Sequence, residues 1–162
     1  MKGLDQFLLP YIISQLVALV ILVAALKSTR LARLLFSLLF LYAAVINMQL
    51  SLRNPDAYLD YAPMALPFYR KFITGPFSQF NYILVPAIAV GQFFIGLGML
   101  LRHEWVKAAC IGAIVFLLAI TPLMVGSAFP FPLIVAFAAW LILKNDRKAY
   151  LWQKNLPGIK LV

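Results

Sequence analysis

The stretch that decides the fold is residues 108–143, AACIGAIVFLLAITPLMVGSAFPFPLIVAFAAWLIL, which carries no charge between Lys107 and Lys144. As one helix it would be about 54 Å long, whereas the hydrocarbon core of a bilayer is about 30 Å thick. Pro130 and Pro132 interrupt it, because each removes a backbone donor and restricts the residue before it. The stretch therefore predicts a membrane span over 108–125, a break, and a shorter segment over 131–143.

Three further apolar runs precede this stretch, and each is long enough to cross a bilayer once. They predict spans over residues 6–26, 34–52 and 80–101. The chain as a whole is 64% hydrophobic and 12% charged, while soluble domains carry about 25% charged residues. We therefore predict an all-α fold, a polytopic transmembrane helix bundle that forms a single domain over residues 1–162. It has four to five spans.

Basic residues favour five spans over four. With five, ten Lys and Arg residues lie on the side of the C-terminus and four lie opposite. With four spans, the tail lies on the outer side. Five basic residues are then inside and nine are outside, which violates the positive-inside rule. Five spans place the N-terminus outside and the basic tail 144–162 in the cytoplasm. A re-entrant last segment stays open, since 131–143 is short. The ten are Lys27, Arg30, Arg33, Arg102, Lys107, Lys144, Arg147, Lys148, Lys154 and Lys160; the four are Lys2, Arg53, Arg70 and Lys71.

The net charge of +9 does not indicate nucleic-acid binding here. Its cations flank the apolar runs, where they act as topology signals and as contacts for anionic lipid. Cys110 is the only cysteine, so an intrachain disulfide and a cysteine metal cluster are excluded. It lies in an apolar run and is interpreted as a small buried residue.

The outer loop 53–81 is expected to form short interfacial helices. Asn54 precedes Pro55 and Asp56, an N-cap pattern followed by a first-turn proline and acid. Later prolines and Gly75 end one helix and start another. Two interpretations stay open: an interfacial layer of aromatic side chains that anchors the bundle, or a segment that roofs a pocket for a lipid-like ligand or docks a partner.

Uncharged polar residues in the spans are the candidate ligand-binding groups. Asn47 and Gln49 lie near the outer end of the second span, and Gln92 lies within the third. Each amide could hydrogen-bond to a neighbouring helix, or hold the polar head of a quinone or lipid from the outer leaflet. Because a cation and loop aromatics follow directly, the predicted ligand-binding set is Asn47, Gln49, Arg53, Tyr58, Tyr61 and Gln92.

Small residues recur on one face of the third span. Ala87, Gly91 and Gly98 follow helical spacing, and small residues let helix backbones approach closely. We expect these three residues to form the helix-packing face of a central helix.

The segment order resembles the DoxX-like family of small bacterial membrane proteins, over about residues 33–143. The segments that carry the resemblance are RLLF (33–36) through NMQ (47–49), NPD (54–56), VPAIAVGQ (85–92), GLG (96–98), residues 108–122 and the proline-rich break before Phe131. The family usually has four spans, so the first helix here is an addition. Many members carry an acid near the position of the neutral Gln92. The resemblance implies a bacterial cytoplasmic (inner) membrane protein, and some relatives are subunits or partners of quinone-linked or thiol-redox systems.

Three functions follow as hypotheses. The favoured one is a non-catalytic accessory or subunit of a membrane redox or envelope system, which binds membrane lipids, docks a protein partner or forms a homo-oligomer, and holds a quinone or lipid. The alternatives are a carrier or channel for a neutral or lipidic solute, and a membrane enzyme acting on a lipid. No charge lies inside the predicted spans, which argues against ion coupling. No nucleophile–base pair, metal-ligand spacing or cofactor motif occurs, so no catalytic or metal residue is predicted.

Overall fold

A computed structural model describes residues 4–146 and residue 151, and within them the chain is an all-α helical bundle without strands. Lys2 and, of the predicted tail 144–162, residues 147–150 and 152–162 lie outside the described residues. In chain order the elements are α1 (Leu4–Lys27), α2 (Thr29–Arg53), a first 3₁₀ segment (Pro55–Met64), α3 (Pro67–Phe72), a π-helical turn (Ile73–Phe77), α4 (Ser78–Leu100), α5 (Glu104–Ile120), a second 3₁₀ segment (Thr121–Ser127) and α6 (Phe131–Asn145).

The predicted all-α bundle with short helices in the loop 53–81 is confirmed. Of the described residues, four segments are long and apolar enough to cross a membrane by length and composition: Leu8–Lys27, Thr29–Arg53, Pro67–Leu100 and Glu104–Ser127. α6 is apolar but has 15 residues. The predicted spans fall on α1, α2, α4, α5 with its following 3₁₀ segment, and α6.

The five long helices alternate in direction. We call residues 55–77 the lid segment, the end of the bundle beneath it the lid end, and the opposite end the Arg33 end. α6 begins at the lid end, where Phe131 lines a cavity described below. It finishes at the Arg33 end, where Asp146 pairs with Arg33 at 3.0 Å. α6 therefore runs the length of the bundle instead of turning back halfway.

The break between α5 and α6 is held by the first helix. Met124 and Ala128 have positive φ of 55°, so the backbone there leaves helical geometry and the regular pattern of helical hydrogen bonds is interrupted. Tyr11 Oη of α1 donates to the Phe129 carbonyl and Gln15 Nε2 donates to the Ala128 carbonyl, both at 2.6 Å. Irregular backbone in a membrane protein requires internal partners of this kind. α1 is thus part of the bundle.

Arg33 is buried, contrary to its interpretation as a flanking cation in contact with lipid. It is 4% exposed, and its Nε donates to the Met99 carbonyl at 2.9 Å. Its other nitrogens donate to the Leu101 carbonyl and to Asp146. Carbonyls at the end of a helix lack intrahelical donors, so Arg33 caps the end of α4 and ties it to α2 and α6.

The packing face expected from Ala87, Gly91 and Gly98 is only partly found within the chain. A Cβ on Gly98 would lie 2.8 Å from the Ala109 Cβ, so α4 and α5 are in close contact there. Ala87 and Gly91 are exposed, and nothing lies within 4 Å of a Cβ built on Gly91. The three share a face in register, but α5 approaches that face only near the Arg33 end. The buried glycine on the α2 side is Gly96.

Candidate functional site

Three polar side chains from three segments form a continuous hydrogen-bonded chain toward the lid end. Tyr58 Oη donates to Asn47 Oδ1, and Asn47 Nδ2 donates to Gln92 Oε1, both at 2.7 Å. Gln92 is 3% exposed, while Asn47 and Tyr58 are partly buried. Burying an amide is costly unless it is hydrogen-bonded. The Tyr58–Asn47–Gln92 chain therefore joins the lid segment, α2 and α4 at one place.

A cavity of about 460 Å³ lies against this chain. α2, α4 and α5 form its walls, the lid segment forms its roof, and the break between α5 and α6 closes one side. The polar members of its lining are Asn47, Tyr58, Tyr61, Tyr69, Gln92 and Ser127. The other lining residues are apolar, and among the described residues that line the cavity none is charged.

The lid segment is bonded to the bundle on two sides of the cavity. Tyr69 Oη of α3 donates to the Ala119 carbonyl of α5 at 2.8 Å. On the α4 side, Asn81 Nδ2 donates to Asp56 Oδ1 at 2.9 Å. Within the lid segment, Arg70 Nε donates to the Ala62 carbonyl at 3.0 Å. These bonds connect the roof to the walls and to itself.

The two tyrosines of the first 3₁₀ segment face the cavity in their neutral form. Burial, with the nearby Tyr61 as a smaller cause, raises the pKa of Tyr58 to about 12. Burial, reinforced by the charge of Asp60, also raises the pKa of Tyr61 above its ordinary value. A tyrosine hydroxyl is already protonated at neutral pH and these shifts move it further from ionisation, so the roof presents hydrogen-bonding groups without charge.

Part of the cavity wall is formed by residues that are also exposed on the outside of the bundle. Leu84 and Ile88 of α4 and Phe72 of α3 line it and are still 36%, 38% and 42% exposed. α4 and α5 meet near the Arg33 end, where a Cβ on Gly112 would lie 3.3 Å from Ile95. A lining residue that is also exposed reaches from the cavity to the outer surface, so we infer an opening in the wall at Leu84 and Ile88, toward the lid end. We call this opening the lateral window.

The structure brings together four of the six residues proposed for ligand binding. Asn47, Tyr58, Tyr61 and Gln92 line the same cavity. Gln49 and Arg53 are exposed and do not line it. Residues two positions apart on an α-helix point about 200° apart, so Asn47 and Gln49 cannot both face one cavity. The structure therefore does not bring Gln49 and Arg53 to this cavity, and ligand binding by the predicted set stays a prediction.

Sequence reasoning did not include the break between α5 and α6 in the site. Gly126, Ser127 and Phe131 line the cavity beside Tyr61. A Cβ on Gly126 would lie 3.0 Å from Tyr61 Cδ1, so the ring lies close against the break and would have to shift to accommodate a side chain there. The proline-rich stretch gave the position of the break, but no signal in it indicated contact with the lid segment.

The described residues contain no group of three or more His, Cys, Asp or Glu side chains that could hold a metal ion. Cys110 is fully buried. What the site offers is an apolar space with an amide and hydroxyl chain on one wall. No family model, curated protein or solved structure matches the chain, so the resemblance to the DoxX-like family stays a prediction.

Proposed function

We propose that this protein is a non-catalytic membrane protein that holds a lipid-like amphiphile, such as a quinone or a lipid, in the cavity beneath the lid segment. The observation that carries the proposal is the Tyr58–Asn47–Gln92 chain bordering an otherwise apolar space of about 460 Å³. Ligand sites have volumes of about 300–1,000 Å³ and combine apolar walls with a few polar groups that fix orientation.

A purely structural role for Asn47 and Gln92 does not explain the cavity beside them. Amides that join helices normally lie at packed contacts. The space around them would then be filled by neighbouring side chains. Asn47 and Gln92 instead border an empty volume whose lining includes Phe116 and Ile120 of α5. The lateral window gives that volume an opening at the level of apolar helix surface, which suits an occupant dissolved in the bilayer.

The proposed membrane orientation puts the lid end outside. The described Arg33 end carries more cations than the lid end, which favours a cytoplasmic Arg33 end by the positive-inside rule. α6 would then complete a fifth crossing, with the N-terminus outside and the C-terminus in the cytoplasm. The cations at the Arg33 end are Lys27, Arg30, Arg33, Arg102, Lys107 and Lys144, and those at the lid end are Arg53, Arg70 and Lys71.

The proposed setting is the inner membrane of a bacterium, where the chain serves a redox or envelope system as a subunit or accessory. Support comes from the resemblance to the DoxX-like family and from the absence of a recognisable catalytic arrangement in the sequence. A protein partner or a second copy of the chain would then receive or deliver the occupant of the cavity.

Native mass spectrometry of the full chain, purified in mild detergent, tests the proposal. We expect a lipophilic molecule to remain bound to the wild-type chain. Ala43→Phe should lower the bound fraction because Ala43 lines the cavity. Val45→Phe, on the same helix, is the matched control because Val45 is 54% exposed and faces away.

Equal retention in the two variants would reject the cavity as the binding site. The same preparation tests the other functions. Solute flux into liposomes containing only this chain would favour a carrier, and turnover of an added lipid would favour an enzyme. Either result would replace the non-catalytic role.

A further inference from the structure

The buried amide of Gln92 has a donor that no described residue of the chain accepts. Its Oε1 accepts from Asn47, and within residues 4–146 and 151 no group accepts a hydrogen bond from its Nε2. In the same part of the chain no fully enclosed side-chain nitrogen or oxygen lacks a partner. The Nε2 group is therefore accessible, and the space that Gln92 borders is the cavity.

The Gln92 Nε2 donor stands at the end of the Tyr58–Asn47–Gln92 chain. Tyr58 donates to Asn47, and Asn47 donates to Gln92, so both hydrogen bonds point in the same direction, from the lid segment to α4. Such aligned hydrogen bonds polarise one another. The last member presents N–H groups to the cavity, and a complementary occupant presents an acceptor.

Depth and charge restrict the acceptor further. Gln92 lies 14 residues after Ser78 and 8 before Leu100, about 21 Å and about 12 Å from the two ends of α4, and it is 3% exposed, so a head bound there is shielded from bulk water. The described lining offers no Lys or Arg to neutralise an anion. A charged group without a partner is strongly disfavoured in such surroundings. The acceptor is therefore uncharged.

We infer that the occupant of the cavity is a lipid-soluble molecule with an uncharged, carbonyl-type head, and that Gln92 Nε2 donates a hydrogen bond to that carbonyl. The inference rests on the proposed function and adds the chemical class of the ligand. A quinone ring and the ester of a neutral glyceride both present this group. Both reach the cavity through the lateral window, past Leu84 and Ile88, without leaving the bilayer.

Binding of three defined probes to the full chain in detergent, measured by native mass spectrometry, tests the inference. Decylubiquinone and dioctanoylglycerol carry neutral carbonyls, and dioctanoyl phosphatidylglycerol adds a negative charge. We expect at least one neutral probe to bind about tenfold more tightly than the anionic one. This comparison uses the wild-type chain alone, and the tighter neutral probe identifies the source of the carbonyl.

Gln92→Met removes the donor at nearly constant volume. The variant should lower the affinity for the tighter-binding neutral probe about fivefold, because one hydrogen bond contributes about 1 kcal/mol. Leu97→Met is the matched control, because Leu97 is on the same helix but is 36% exposed and does not line the cavity, and it should leave the affinity unchanged. Thermal unfolding of both variants shows that they are folded.

The failures are distinguishable. If no probe and no co-purified lipid binds the wild-type chain, the proposed function itself fails. If the probes bind but the anionic one binds as tightly as the neutral ones, the inference about the head is overturned while the cavity stands. Unchanged affinity in a folded Gln92→Met variant overturns the assigned donor.

Discussion

Arg33 and Asp146 are 113 positions apart in the chain and form an ion pair, with 3.0 Å between Arg33 Nη1 and Asp146 Oδ1. Their side chains are 5% and 11% exposed. Arg33 lies in the first turns of α2 and Asp146 follows the end of α6, so the pair joins the second and last helices of the described bundle. Because Arg33 also caps α4, one side chain fixes three helix ends.

Loss of this pair should destabilise the bundle. Removing one partner of a buried ion pair costs about 3–5 kcal/mol, and Arg33 keeps its two carbonyl partners, so we expect about 3 kcal/mol for Asp146→Asn. Thermal unfolding in detergent measures it. The control is Glu104→Gln, whose side chain is 71% exposed and whose ion pairs contribute about 0–1 kcal/mol. Equal melting temperatures for the two variants would contradict a structural role for the pair.

Two glycines of α4 should respond differently to the same substitution. Gly98→Ala should lower the melting temperature, because its Cβ would lie 2.8 Å from Ala109 Cβ and 3.1 Å from the Trp105 carbonyl oxygen. Gly91→Ala meets nothing within 4 Å and should be neutral or stabilising, by up to about 1 kcal/mol from helix propensity. If Gly91→Ala proves the more damaging, the exposed Ala87–Gly91 face packs against another chain.

Asn47 should matter more for stability than Gln49. Asn47→Leu removes the partner of both Tyr58 and Gln92, and a buried polar group left unpaired costs about 1–3 kcal/mol. Gln49→Leu alters an exposed side chain on the same helix and should change stability by less than about 0.5 kcal/mol. Chemical or thermal unfolding of both variants in one detergent gives the comparison. A smaller loss for Asn47→Leu than for Gln49→Leu would show that the hydrogen-bonded chain does not hold the lid segment.

Membrane orientation can be read with two single cysteines. Asp60→Cys lies in the lid segment and Glu104→Cys lies at the Arg33 end, and both positions are exposed. The native Cys110 is fully buried and should not react. An impermeant maleimide added to intact cells should label Asp60→Cys, and should label Glu104→Cys only after permeabilisation. The reverse pattern would overturn the orientation taken from the cations.

Much of the fold follows from the sequence by itself. Uncharged runs of about 20 residues have few alternatives to a membrane helix, since every backbone group in lipid must be paired internally. Proline before α6 and at the start of the lid segment acts locally, through its fixed φ and missing donor. The helices and the break after α5 were therefore predictable from neighbouring residues. So was the presence of short helices between α2 and α4.

The site depended on how the helices pack. Asn47 and Gln49 are equally polar and two residues apart, and only the position of α4 decides that Asn47 meets Gln92 while Gln49 is exposed. Gly91 and Gly98 share a face, but α5 touches only the second. Composition and periodicity describe one helix at a time, and they carry no record of which neighbour approaches it.

The sequence alone thus determined that this is a helical membrane protein with an aromatic lid and uncharged polar groups near one end. Tertiary structure alone decided that Arg33 is buried, that the α5–α6 break meets Tyr61, and that a cavity remains beside Gln92. The physical reason is the sequence distance over which each effect acts. Helix formation, proline breaks and membrane partition depend on adjacent residues, whereas burial and cavities depend on side chains that lie far apart in the chain.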